Sequence, residues 1–334
     1  MHYRSAYLII WEEQIWPSLF CNIYNISLKI FKFIQTIFLQ LKAAFQLLVR
    51  NDPMRLAGAT AFFTTFALPP ILLIMIQILS LLFNRRSVSR ELFMQLGGII
   101  GKDSVMQLID TLRAFRGIAS NLPIAIGGFI FLLFVATTLF KVIQSSLNQL
   151  WMIRIIGKKK IKIALVSRIK SILVIFFTGL LFMASVIAES FTTFFGNQLK
   201  ELMPVMSFYL NSTIATLLSI SIVWVWFSLL FRYLPDGKPK WKIAFTGGLL
   251  TSILFNIGKV ILKWLLPNSN IGVVYGASAS IVLLLLFVFY ASLIFYFGAA
   301  FTKVWSEYKK QPIRPRINAG LYDYTSIEHS VNVP

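Results

Sequence analysis

The sequence predicts an all-α, polytopic membrane protein with six transmembrane helices and an N-terminal amphipathic helix at the membrane interface. Three observations lead there. The chain has 334 residues, of which 57% are hydrophobic and only 13% charged, and its mean hydropathy is +0.75. A soluble domain carries about a quarter charged residues. The apolar residues gather into six long runs, and the lysines and arginines between them fall mostly on one side.

A bilayer core of about 30 Å needs roughly 20 apolar residues in a helix. The runs place spans at about 57–83, 122–150, 170–192, 212–233, 243–266 and 277–302. Backbone groups in lipid must bond within their own segment, so these are helices. The domain expectation is a cytoplasmic segment over 1–56, a six-helix membrane domain over 57–302, and a cytoplasmic tail over 303–334, without fixed structure towards its end.

The segment before the first span is different. Ile26, Ile30, Phe33, Ile34, Ile37, Leu41, Phe45 and Leu48 form a helical stripe interrupted by Lys29, Lys32, Gln35, Gln40 and Lys42. That pattern suits a helix lying on the membrane surface. The alternative is a cytoplasmic helix packed on the loops. Further upstream, Glu12 and Glu13 break the apolar run Leu8–Trp11 and no small-residue cleavage site follows, so the first span is expected to direct insertion.

Net charge is +20, from 32 Lys+Arg against 12 Asp+Glu. With the N-terminus inside, the inner segments hold 22 of the basic residues, the outer ones seven, and three lie within spans. Both termini are therefore expected in the cytoplasm. Such charge in a soluble protein would suggest nucleic acid. Here it fits topology and anionic lipid headgroups, so the expected partners are the bilayer and those headgroups, with a homo-oligomer as the candidate protein partner and no nucleic acid. The outer loop 84–121 carries apolar residues at helical spacing, which suggests one or two amphipathic helices. The tail from Lys310, with Pro312, Pro315 and Pro334, is expected to lack fixed structure.

Four ionisable residues fall within spans: Lys141, Glu189, Lys259 and Lys263. Charges there are costly and mark functional hypotheses. Glu189, Lys259 and Lys263 all fall in outer halves, so Glu189 with Lys263 or Lys259 reads as a structural ion pair. Lys141 falls near mid-depth by this reading. It shares a face with Thr137, Gln144 and Asn148, with Ser145 beside them. A second polar stripe runs through Gly248, Ser252, Asn256, Lys259 and Lys263. Two such faces suggest a buried cationic cleft, with Lys141, Asn148, Asn256 and Lys259 as substrate-binding candidates for an anion. Helix-to-helix glue is the alternative, because small and polar residues also pack membrane helices. Pro69 and Pro70 sit mid-span and predict a kink or hinge.

Catalytic signals are weak. The two histidines, His2 and His329, lie in the tails, and the one cysteine is Cys21. No Cys, His or carboxylate cluster has metal-ligand spacing, and no phosphate loop or nucleophile elbow is present. The expectation is a non-enzyme with no cofactor and no metal.

Several short motifs, in order, resemble the YihY/BrkB family of bacterial inner-membrane proteins over residues 35–308. They are Leu56-Ala57, Ala61-Phe62-Phe63 and Pro69 in the first span; Leu147-Asn148 and Trp151 at the end of the second; Gly247 in the fifth; and Tyr275-Gly276-Ala277, Tyr290, Ser292, Gly298 and Ala299 around the sixth. Two positions depart from the pattern. Ala300 stands where the family commonly has an acid, and Phe287-Val288-Phe289 stands where it tends to have a tryptophan. The resemblance implies a multi-pass protein of the bacterial inner membrane with transport-like or envelope-integrity roles. The family once carried a ribonuclease label, against which the lack of catalytic residues argues. The functional expectation is a transporter-like protein that handles an anionic solute or lipid; the alternative is a non-transporting scaffold for envelope integrity.

Overall fold

The computed structural model describes residues 31–32, 34–81, 84–100, 102–118, 122–155, 173–174, 176–181, 184–185, 204–265, 275, 279–316 and 319–321. Helix α1 is Ile34–Val49. Then come α2 (Pro53–Leu79), α3 (Arg85–Ile100), α4 (Lys102–Ile118) and α5 (Leu122–Leu150). Strand β1 (Ile153–Ile155) follows, then α6 (Pro204–Tyr233), β2 (Gly237–Lys238), α7 (Trp241–Leu265), α8 (Ala279–Tyr308), β3 (Arg314–Pro315) and β4 (Ala319–Leu321). Helical residues also occur at 173–181 and 184–185.

Among the described residues, four helices are long and apolar enough to cross a membrane: Pro53–Gln77, Thr216–Tyr233, Trp241–Leu262 and Ile281–Tyr308. The 29 residues of α5 extend about 44 Å at 1.5 Å per residue, also longer than a bilayer core. The expected third span lies largely outside the described residues, as do Glu189, the loop residues Lys158–Lys160 and the tail beyond 321.

The helices pack in the order α5, α2, α8, α7, α6, each mainly against the next. The segment at 173–181 lies against both α2 and α6. Gly179 faces Met75 and Leu79 of α2, and Trp226 of α6 donates from its indole to Thr178 at 2.9 Å. Helix α8 is central because it is narrow where it meets its neighbours. Ala299, Ala300 and Thr302 are wholly buried. A side-chain carbon added at Gly298 would strike Thr251 of α7, and one at Gly247 of α7 would strike Thr302 of α8. Each helix thus seats a threonine on the other's glycine, the small-residue contact by which membrane helices approach closely. Tyr296, also wholly buried, ties α8 to α2 through a 2.5 Å bond with the Thr60 hydroxyl. Thr60 spends its own proton on the Leu56 carbonyl at 2.9 Å, so the Tyr296 hydroxyl is the donor.

Helix α1 ends in a turn through Asn51, whose carboxamide donates to Leu47 O at 2.9 Å, and Asp52, in a left-handed conformation (φ 53°). Pro53 then opens α2, a position where its missing N–H costs nothing. Ala44 and Leu48 of α1 are buried, while Phe31, Ile34, Phe38, Phe45 and Val49 are exposed. Helix α2 continues through Pro69 and Pro70, both buried. The prolines remove two backbone donors without ending the helix. The segment 84–121 does form two helices, α3 and α4, packed on each other.

The stretch after Lys310 departs from the expectation of an unstructured tail. Helix α8 closes with the paired bonds of a Schellman motif, Gln311 N–H to Ser306 O at 2.8 Å and Lys310 N–H to Glu307 O at 2.9 Å, with Lys310 left-handed (φ 52°). The chain then turns back as a strap. Strand β3 pairs antiparallel with β2, and β4 pairs antiparallel with β1. The strap therefore laces the loop after α5 to the loop between α6 and α7. Ile313 is buried, which supplies the apolar anchor that the proline-rich composition concealed.

Candidate functional site

At the basic end of the bundle three stretches distant in sequence converge: the end of α5 with β1, the loop 234–240, and the strap 311–321. The loop begins with Pro235-Asp236-Gly237, a combination that favours a tight turn. Gly237 is required sterically. A side chain there would meet Ile153, Ile313 at 2.8 Å and Trp151 at 2.9 Å. Trp151 is wholly buried and donates from its indole nitrogen to Ala299 O at 2.9 Å. Trp151, Ile153 and Ile313 thus make an apolar floor across the ends of α5 and α8.

Asp236 is the polar centre of this region. One of its carboxylate oxygens accepts from Gln144 Nε2 at 3.0 Å and from Asn148 Nδ2 at 2.8 Å. Its backbone N–H donates to Asn148 Oδ1 at 2.9 Å, and its backbone carbonyl accepts from the strap's Arg316 N–H at 2.9 Å. The Arg316 guanidinium donates to the carbonyls of Arg232 (3.4 Å) and Tyr233 (3.2 Å), capping the end of α6 where a cation is favoured. Arg232 donates to Pro239 O and lies 5.3 Å from the Trp241 ring. Trp241 in turn packs edge-on to Tyr233 and flat on Phe245.

This geometry relocates the predicted α5 stripe. Gln144 and Asn148 are buried and bond to Asp236 of the α6–α7 loop. Asp236 is three residues beyond Tyr233, and its partner Gln144 lies near the same level. Lys141 is three residues from Gln144, about 4.5 Å along the axis. It therefore lies about one helical turn from the Gln144–Asp236 contact. Lys141 is exposed, as are Ile130, Phe134 and Ser145 at helical spacing on the same helix.

The α7 stripe has different partners. Gly248 packs against Ser228 of α6, Ser252 is wholly buried, and Asn256 Nδ2 donates to Ser252 O at 2.9 Å. Lys259 Nζ donates to Ser219 of α6 at 3.5 Å and stands 5.9 Å from the Phe255 ring. Among the described residues, helices α5 and α7 share no extensive contact: Lys141 and Asn148 stand on a helix packed mainly on α2, Asn256 and Lys259 on one packed on α6 and α8. The proposed Glu189–Lys263 pair falls outside what is described, Glu189 as a residue and Lys263 as a side chain. Asp236 escaped the sequence reading, although its Pro-Asp-Gly turn was visible.

Comparison with known proteins places this architecture. A UPF0761 membrane protein from Janthinobacterium sp. (strain Marseille) is 28% identical over 251 residues, covering 74% of this chain and 55% of that protein. One from Mannheimia succiniciproducens is 23% identical over 265 residues, covering 77% of this chain and 86% of that protein. One from Saccharophagus degradans is 36% identical over 81 residues, 24% of this chain and 19% of that protein. The chain thus spans between a fifth and most of the length of these relatives. No solved structure matches. The profile of the family described as Virulence factor BrkB matches residues 44–320, which takes in α2 through β4, and the chain belongs to that family.

Proposed function

We propose that this protein is a six-span protein of the bacterial inner membrane, with both termini in the cytoplasm, that handles an anionic lipid without catalysing a reaction. The convergence of the α5 end, the 234–240 loop and the strap supports the orientation, since charge counting assigns all three to the inside. The exposed apolar stripe of α1, flanked by Lys32 and Lys42, supports an interfacial position for that helix.

The observation that carries the reading is Lys141. It is an exposed cation on a helix face that otherwise exposes Ile130, Phe131 and Phe134. A lysine at headgroup level can pair with a phosphate while the apolar face above it accepts acyl chains. A dissolved anion would gain nothing from that apolar face, so a lipid fits better than a small solute. The second reading, a non-transporting scaffold, is favoured by the use of the α7 stripe in packing against α6.

The test is movement of fluorescent phosphatidylglycerol and a panel of small organic anions in proteoliposomes. Wild type is compared with Lys141→Ala, with equal thermal stability in detergent as the control. Lipid movement by wild type that falls at least tenfold in the variant supports the proposal. Movement of small anions alone, or of nothing by either protein, sinks it, and the latter result favours the scaffold.

A further inference from the structure

Strands β2 and β3 place Lys238 directly opposite Arg314. Both side chains are exposed, and among the described residues neither has a carboxylate within ion-pair distance. Like charges directly opposite in an antiparallel pair oppose the pairing. Yet this pair lies within the contact that fastens the strap to the α6–α7 loop, beside the bond from Arg316 N–H to Asp236 O. The nearest carboxylate in sequence, Asp236, is held by Gln144 and Asn148. Glu307 is paired with Lys303 at 3.0 Å. The strap also keeps one buried donor, Arg316 Nε, with no acceptor among the described residues.

We propose that Lys238 and Arg314 form a phosphate-binding clamp, and that a phosphate group held between them fastens the strap to the bundle. A phosphate group carries enough charge and enough acceptor oxygens to bridge an ammonium and a guanidinium. It turns the one unfavourable pair of the β2–β3 contact into a favourable one. Strap seating thereby becomes dependent on the ligand. The clamp goes beyond the lateral Lys141 site and does not rely on it.

Hydrogen exchange of the 311–321 amides, read by mass spectrometry on the full chain, tests this. One arm uses nanodiscs of phosphatidylglycerol against nanodiscs of phosphatidylcholine. The other uses inorganic phosphate in detergent against sodium chloride at equal ionic strength. Strap exchange is expected to slow about tenfold in the anionic condition of each arm, phosphatidylglycerol (whose phosphate, unlike that of phosphatidylcholine, is not balanced by its own cation) or inorganic phosphate, as for a ligand at ten times its dissociation constant. Slowing in the first arm alone identifies a lipid headgroup; slowing in the second identifies free phosphate. Lys238→Gln/Arg314→Gln is expected to abolish the response. Lys238→Gln by itself is expected to slow exchange about threefold without ligand, by relieving the like-charge pair. Lys309→Gln is expected to respond as wild type does. An unresponsive wild type in both arms overturns the clamp, as does a double variant that still responds.

Discussion

Asn148 and Asp236 grip each other in both directions, the carboxamide donating to the carboxylate at 2.8 Å and accepting from the Asp236 N–H at 2.9 Å. The pair joins residues 88 positions apart and fixes the α6–α7 loop to the end of α5.

Asn148→Leu strips the acceptor from a backbone N–H and a donor from a carboxylate. It is expected to cost about 1–3 kcal/mol, read as a lowered Tm in detergent. Asn148→Asp is expected to be worse, because it sets a second carboxylate against the first. Equal stability of both variants and wild type would contradict the bonding described.

Gly298→Ala is expected to destabilise the α7–α8 contact by about 1–3 kcal/mol, the usual range for overpacking. Its new methyl meets Thr251. Adding Thr251→Gly is expected to recover part of the loss, a coupling that a double-mutant cycle measures directly.

Trp151 separates two effects. Trp151→Phe removes the indole bond to Ala299 O and keeps most of the ring, so a loss of about 1 kcal/mol is expected. Trp151→Ala also opens the floor beneath Gly237 and Ile313, and about 3–5 kcal/mol is expected. Urea melts of the two variants side by side check the ordering.

The strap is open to covalent proof. Arg154 and Gly320 are partners in the β1–β4 register, and cross-strand Cα atoms about 4.5–5.5 Å apart suit a disulfide. Arg154→Cys/Gly320→Cys in a Cys21→Ser background is expected to cross-link on mild oxidation. Mass spectrometry of an unreduced digest detects the joined peptides. Their absence would detach the strap from β1.

Much of the bundle was legible. Apolar runs marked α2, α5, α6, α7 and α8, because burial in lipid demands long uninterrupted apolar helices and leaves a strong imprint. Helices α3 and α4 followed from spaced apolar residues between 84 and 121. The polar face of α5 was seen, but its partner was not. Gln144 and Asn148 answer to Asp236, and nothing local to α5 announces a residue some ninety positions away. The α7 stripe was legible as polar but ambiguous in purpose, since Gly248, Ser252 and Asn256 would look alike lining a cleft or packing on α6. Strands of two or three residues carry no usable alternation, so the strap was hidden behind its prolines and basic residues.

The lacing of β1 to β4 also has a consequence for biosynthesis. Residues 153–155 leave the ribosome long before residues 319–321 exist. At the usual elongation rates the interval is on the order of ten to thirty seconds. Throughout it, the end of α5 and its buried tryptophan must wait in the membrane without their cover. The nascent chain is thus open to quality-control proteases through that interval, and the arrival of β4 is what ends it.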